Sequence, residues 1–288
     1  MRSTSLYVFG SDILTDVTGC WRADHPRDSR RVICAVPYLE DPPLAFAHRG
    51  GAADGDENTE QAFARAVAAG YRYVEIDVHA TADGVPVVVH DPNLLRVAGH
   101  RTSIAAVSFQ TLQRVQLAGG GVVPRLDDIL ARWPEIKFNV DVKSDSAVEP
   151  TLEAVDRSGA AGRVLLASFS DARVARIRAL SGGGIATSLA QKEVARLWVA
   201  SRLGLRRGRM LTLPASVVAV QVPPRYRRFR VVDRRFLTMS HRLGLQVHVW
   251  TIDDPTEMAG LLDLGVDGIM TDRIQVLREV FLERGLWR

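Results

Sequence analysis

The chain is poor in cysteine, nearly balanced in charge and without a long apolar run. Its 288 residues include only Cys20 and Cys34. Neither lies in a CxxC or other metal-ligand spacing, which argues against a disulfide framework or a thiolate zinc site. Two free thiols in a reducing compartment is the simpler reading. No stretch approaches the ~18 apolar residues of a spanning helix. Leu6 to Gly10 is too short for a signal-peptide core, and Ser11, Asp12 and Asp16 follow at once. The expected location is therefore cytoplasmic. Lys and Arg total 37 against 33 Asp and Glu, a net +4. That excess is too mild to point to nucleic acid. Gly119–Gly121 and Gly182–Gly184 lack the following Lys-Ser/Thr of a P-loop, so they read as flexible connections.

What the chain does have is a regular alternation of strand-like and helix-like runs. Residues 1–41 stand apart as an irregular extension, with charged Arg27 to Arg31 and helix-breaking Pro37, Pro42 and Pro43 near its end. From 42 onward the pattern predicts strands at Leu44–Ala47, Tyr73–Val78, Lys137–Val142, Val164–Ala167, Ile185–Ser188, Val217–Gln221, Leu245–Trp250 and Val266–Met270. Helices are predicted between them, among others over Thr59–Gly70, Leu126–Trp133 and Ala147–Gly159. A last helix starts at Ile274. One further strand, Val85–Val89, follows its predecessor after only Thr81–Gly84, too short for a crossover but enough for an antiparallel hairpin. Removing it leaves eight βα units, the count of a (β/α)8 TIM barrel. A doubly wound sheet is the alternative.

The charges on two strands carry the functional reading. Along a strand, alternate residues share a face. Glu75 and Asp77 oppose Val74, Ile76 and Val78. Likewise Asn139, Asp141 and Lys143 oppose Phe138, Val140 and Val142. In a barrel the apolar face packs on the helices and the charged one points inward, where unpaired charge costs several kcal/mol per group. Either a salt-bridge network or a bound cation must compensate. Glu75, Asp77 and Asp141 offer oxygen ligands only, which favours one divalent cation, Mg²⁺ or Ca²⁺, over Zn²⁺. With Arg49 and Lys143 added, the site totals about one positive charge and complements a phosphodiester. His48 ends the first strand, where barrel enzymes place catalytic groups. His90 ends the hairpin strand and is expected roughly opposite Glu75. Two histidines can divide general acid and base roles near neutral pH.

Several motifs, in order, resemble the glycerophosphodiester phosphodiesterase family: His48-Arg49-Gly50, Glu57-Asn58-Thr59, Glu75-Ile76-Asp77, Asp83-Gly84-x-Pro86-Val87, His90-Asp91, Trp250-Thr251 and Asp267-Gly268-Ile269-Met270-Thr271-Asp272. The resemblance covers about Leu44 to Arg288. It implies a TIM-barrel domain over 42–288, with a β-hairpin after the second strand and a small insertion, Asp91 to Val123, at the active-site mouth. It implies a metal on Glu75, Asp77 and Asp141, an acid–base pair in His48 and His90, and phosphate contacts from Arg49 and Lys143. The implied reaction is hydrolysis of a small glycerophosphodiester to glycerol 3-phosphate and an alcohol. A lysophospholipase D at a membrane surface and a non-catalytic phosphate-binding barrel are the alternatives.

The chain also departs from the family pattern. Asp141 stands where the family usually carries Glu. Pro124-Arg125-Leu126-Asp127 replaces Pro-Thr-Leu-Glu, leaving Asp127 either near the metal or as a helix cap. Arg273-Ile274 follows Asp272 without the usual proline. Among the weaker signals, Asn58 is expected to cap the first helix with Gln61 reaching back, and His79 to lie on the hairpin surface. Trp250 is expected to pack on the substrate's glycerol or acyl part. The run from Leu197 to Arg230, rich in arginine, suits either an anionic membrane surface or a barrel helix with solvated arginines. Leu203–Pro214 within it, joining helix to strand, is expected opposite the active site.

Overall fold

The computed structural model describes residues 38–203 and 212–287, and the backbone of 20–21 and 33–34. Two compact units are present, Met1–Ala35 and Val36–Arg288. In the first, Cys20–Trp21 pairs antiparallel with Ile33–Cys34. The second holds the barrel and includes Tyr38 and Glu40: Tyr38 is fully buried, and Glu40 pairs with Arg72 and Lys137.

The barrel strands are β1 (Leu44–Ala47), β2 (Tyr73–Ala80), β4 (Lys137–Val142), β5 (Val164–Ala167), β6 (Ala186–Ser188), β7 (Val217–Val222), β8 (Gln246–Val249) and β9 (Gly268–Thr271). All eight are parallel to their neighbours, and β1 pairs with both β9 and β2, which closes the ring. The hairpin strand β3 (Pro86–Val88) runs antiparallel on β2. This is the expected (β/α)8 barrel. Its helices are α1 (Glu60–Ala68), α2 (Leu126–Arg132), α3 (Val148–Arg157), α4 (Asp171–Leu180), α5 (Gln191–Leu203), α6 (Arg234–Arg242), α7 (Pro255–Leu264) and α8 (Ile274–Glu283). Among the described residues no helix is long and apolar enough to cross a membrane.

Local chemistry sets the helix starts. Side-chain oxygens of Thr59, Ser170, Asp233 and Asp254 accept from backbone N–H groups in the first turns of α1, α4, α6 and α7. Each such cap contributes about 1 kcal/mol. The α1 cap is Thr59, one residue beyond the expected Asn58, which leaves Asn58 free for another task.

Strand alternation then builds two apolar layers. Val74, Ile76 and Val78 of β2 and Phe138, Val140 and Val142 of β4 pack outward against the helices. Phe46, Tyr73, Leu165, Ala186, Ala219 and Met270 fill the interior with Tyr38. A third cluster, from Val87 and Val89 to Leu94, Ile104, Leu112 and Val123, gives the insertion its own core. His248 sits inside the barrel with its ring centroid 4.8 Å from that of Phe46. Gly268 makes room for both: a Cβ there would lie 2.8 Å from each ring.

Burial pushes the His248 imidazole down to about 3 from its ordinary 6.5. Between those values the unfolded chain binds a proton that the fold refuses. Stability must therefore fall as pH drops below about 6.5. Urea midpoints of wild type and His248→Gln should diverge between pH ~6 and ~4.5, the wild type losing on the order of 1 kcal/mol more per pH unit. Parallel pH dependences would contradict a buried neutral His248.

Candidate active site at the carboxyl ends of the strands

The residues singled out by sequence meet at the C-terminal ends of β1, β2 and β4. After β1, His48–Gly50 makes a tight 3-10 turn with Arg49 left-handed (φ 52, ψ 26) and Gly50 and Gly51 at φ 84 and 92. A Cβ on Gly50 would lie 2.7 Å from Phe63, and one on Gly51 2.7 Å from Ile274, so the turn lies directly on α1 and α8. A left-handed arginine costs roughly 1–2 kcal/mol. Its contacts offset that. The Arg49 backbone N–H donates to Glu75 Oε2 at 3.1 Å, Nη1 donates to Glu57 Oε1 at 3.0 Å, and Nε stands 3.1 Å from Asp77 Oδ2.

Asp77 is the centre of the cluster, with a side chain only 1% exposed. Its Oδ1 lies 2.8 Å from Lys143 Nζ, and its Oδ2 accepts from Asn58 Nδ2 at 2.9 Å. Burial opposes its ionisation, but Lys143 and Arg49 outweigh burial and hold the carboxyl below its ordinary range. Its neighbours are left short of positive charge. Burial, then repulsion from Asp77, pushes Glu75 up to about 7 despite His48, Lys143 and Arg49. Burial likewise raises Asp141, whose Oδ2 takes Lys143 at 2.8 Å while Oδ1 is buried without a partner.

This imbalance bears on the expected cation. Asp77 and Asp141 are directly paired across β2 and β4, with Glu75 two residues back on the same face. Three hard oxygen donors, one of them orphaned, fit Mg²⁺ or Ca²⁺. They do not yet form a cage: among the described residues no three His, Cys, Asp or Glu side chains gather closely enough to hold an ion. Lys143 bridges two of the three acids instead. The expected convergence of three ligands is thus only partly built.

Each histidine is held by a carboxylate. His48 Nδ1 lies 2.7 Å from Asp272 Oδ1, with Nε2 3.7 Å from Glu75 Oε2. Burial alone would lower its pKa, but Glu75 and Asp272 together raise it. His90 Nδ1 lies 2.6 Å from Asp91 Oδ1. Its Nε2 has no hydrogen-bond partner among the described residues. The ladder pairs Val88 with Val78, which points position 90 toward Ile76 rather than Glu75, the expected partner. His90 nonetheless stands close enough to favour the ionised forms of Asp77 and Asp141.

Other expectations change. His79 is buried rather than on the hairpin surface, and its ring Nε2 lies 3.1 Å from the His90 carbonyl. Asn58 caps nothing. It sits at φ 57 with its amide on Asp77. Asp127 is engaged by Arg157 at 2.7 Å and Arg125 at 3.1 Å, and makes no cap to α2. Trp250 is half-buried, edge-on to exposed Phe169 at 5.6 Å, and Lys143 Nζ lies 5.7 Å from the Phe169 ring. Residues 204–211, and with them most of the Leu203–Pro214 expectation, lie outside the described residues.

The sequence reading missed Asp272 and Asp91 as partners of the histidines. It also missed Arg96, which clamps Glu57 at 2.6 Å and Asp91 at 2.7 Å, and Arg173. The clue for the aspartates was present, since each lies inside a motif already quoted.

A cleft of about 480 Å³ opens beside the cluster, lined by His79, His90, Lys143 and Arg173, with Pro92, Ser103 and Ala105 from the insertion. That volume suits a small organic ligand. The insertion thus stands at the mouth, as expected. A groove of about 390 Å³ at the opposite end, bounded by Glu40, Arg72 and Trp287, contains no histidine. It lies on the face that barrels use for stability rather than catalysis.

Fold and site together define a barrel hydrolase suited to an anionic ester. Comparison with known proteins makes the class specific. The glycerophosphoryl diester phosphodiesterase family model matches residues 48–276. The chain is 36% identical over 245 residues to "Probable glycerophosphodiester phosphodiesterase 2" of Mycobacterium tuberculosis, covering 85% of this chain and 92% of that protein. It is 25% identical over 278 residues to human "Lysophospholipase D GDPD1", covering 81% and 84%. Its fold is similar to a glycerophosphodiester phosphodiesterase from Agrobacterium tumefaciens (TM-score 0.66, 21% identity, 82% of this chain and 98% of that one). It is also similar to an Oleispira antarctica phosphodiesterase in complex with sn-glycerol-3-phosphate (TM-score 0.67, 19% identity, 83% and 97%). The chain belongs to the glycerophosphoryl diester phosphodiesterase family and is a phosphoric diester hydrolase.

Replacing Asn58 separates backbone strain from hydrogen bonding. Asn58→Gly keeps the left-handed turn but strips a donor from buried Asp77, and should lower unfolding free energy by about 1.5–3 kcal/mol. Asn58→Ala adds the strain and should cost about 1 kcal/mol more. Urea denaturation of both variants checks this, and two stabilities equal to wild type would remove Asn58 from the cluster.

Proposed function

We propose that the chain hydrolyses glycerophosphodiesters to glycerol 3-phosphate and an alcohol, with His48 and His90 as the acid–base pair. The observation that carries this reading is the arrangement of the two rings. Each has Nδ1 held by a carboxylate, Asp272 or Asp91. Such a contact fixes ring orientation and tautomer, leaving Nε2 to exchange a proton. Arg49 and Lys143 border the same acids and would bind the phosphate oxygens once those acids are neutralised. Glu75, Asp77 and Asp141 would hold one divalent cation, which when bound would offset most of their negative charge and polarise a phosphoryl oxygen.

In the reaction, an oxygen nucleophile loses its proton to one histidine as its bond to phosphorus forms. The bond to the leaving alcohol oxygen breaks as the second histidine protonates that oxygen. Water as nucleophile gives glycerol 3-phosphate directly. Attack by the substrate's own 2-hydroxyl gives a cyclic phosphate that a second, hydrolytic step opens. Phosphorus NMR during turnover separates the routes by the cyclic species.

A lysophospholipase D is the second reading. Phe169 and Trp250 beside Lys143 offer an aromatic edge for an acyl or glycerol group, and the human relative bears that name.

Choline release from glycerophosphocholine and from lysophosphatidylcholine decides between these. Activity should vanish with chelator and return with Mg²⁺ or Ca²⁺. His48→Ala and His90→Ala should each lower turnover by roughly 10²-fold or more with an unchanged thermal midpoint. No turnover of either substrate with any ion would sink the proposal. Activity that survives thorough chelation would remove the metal from it.

A further inference from the structure

The loop between β7 and α6 carries a feature that hydrolysis of a soluble diester does not require. Arg225–Tyr226 pairs antiparallel with Phe229–Arg230, with Arg227 left-handed at φ 53 in the turn. All six residues from 225 to 230 are exposed. Four of them are arginines, and none forms an ion pair with a described acid. Asp233, the acid nearest in sequence, is taken by Arg202 at 3.0 Å. The guanidiniums of Arg227 and Arg228 instead lie 5.7 and 5.2 Å from the rings of Tyr226 and Phe229. Several other exposed arginines, Arg72, Arg96, Arg132, Arg157 and Arg176 among them, are each paired with an acid.

Position gives this hairpin meaning. It follows the carboxyl end of β7, so it stands on the rim that also carries His48, His90 and the cleft. Arg206, Arg207 and Arg209, expected on the opposite face, lie outside the described residues. Other exposed apolar side chains share the rim: Leu95 on the insertion at 48% exposed and Phe169 after β5 at 51%. Phe229 is braced from below by Trp198 of α5, the ring centroids 6.0 Å apart. The Trp198 indole N–H and Arg202 both donate to the Arg230 carbonyl. The hairpin is therefore anchored, and its charges and rings face outward.

We propose that this hairpin docks the catalytic rim on an anionic lipid surface. Unpaired arginines draw it to acidic headgroups, and Tyr226 and Phe229 settle at the interfacial depth that aromatic side chains favour. A lipid surface fits better than a nucleic acid. Among the described residues the hairpin itself is only six residues long, and its cations alternate with aromatic rings that suit a lipid interface better than a phosphate backbone. Docking needs no catalytic residue, so it stands or falls apart from the proposed reaction.

Cosedimentation of the full chain with vesicles tests this. Phosphatidylcholine vesicles containing phosphatidylglycerol should bind it, and pure phosphatidylcholine should bind it far less. Each arginine removed should weaken partitioning about fivefold, so Arg225→Glu with Arg228→Glu should reduce binding well over tenfold. The same variant should turn over glycerophosphocholine at the wild-type rate, which also reports that it folds. His48→Ala should bind vesicles as wild type does. Equal binding of wild type and the double variant, no binding to either vesicle, or tighter capture of a single-stranded oligonucleotide than of acidic vesicles would each overturn the proposal.

Discussion

A buried carboxylate that stays ionised governs this active site. Asp77 is buried on β2 beside the strands that lead to Arg49 and Lys143, and a charge so placed is tolerated only when paired and hydrogen-bonded. Three elements are shaped to satisfy it. The turn after β1 adopts a left-handed arginine so that the Arg49 guanidinium reaches Asp77. The loop before α1 turns Asn58 left-handed so that its amide does the same. Lys143 extends from the end of β4 to bridge Asp77 and Asp141. These contacts satisfy one acid while Glu75 and Asp141 stay starved of positive charge. That surplus of negative charge is the ground for proposing a cation at the mouth.

The histidines stand on either side of that charge. His48 comes from the first strand and borrows Asp272 from the last, across the closure of the barrel. His90 comes from the hairpin and borrows its neighbour Asp91, which Arg96 and Glu57 tie to the turn carrying Arg49. One long-range and one local pair thus hold the two rings at the carboxyl ends of the strands, with His90 lining the cleft. The hairpin makes this possible, because β3 brings the chain back along β2 to the end where its acids lie.

Much of this was legible in the sequence because strand alternation is a local property. Leu44–Ala47, Lys137–Val142 and Val164–Ala167 have the expected bounds, and the four-residue turn fixed β3 as antiparallel. The inward acids followed from the same alternation. What escaped depends on the closed ring or on side-chain geometry. Asp272 lies 224 residues from His48 and meets it only when β9 pairs with β1. Asn58 has the composition of a helix cap, yet Thr59 takes that place. His79 looks exposed on a hairpin until the insertion and His90 cover it. The approximate opposition of His90 and Glu75 depended on hairpin register, which a one-residue difference shifts.

The proposed cation site rests on the carboxylates around Asp77, which Arg49 and Lys143 do not fully neutralise. Calorimetric titration of the chelated protein with Mg²⁺ and Ca²⁺ tests it most directly, with Asp141→Ala titrated alongside. One bound ion per chain is expected, with a higher thermal midpoint on binding and affinity at least about tenfold weaker in Asp141→Ala, equivalent to about 1.4 kcal/mol. Absence of saturable binding of either ion to the wild type, or equal binding to the variant, would contradict it.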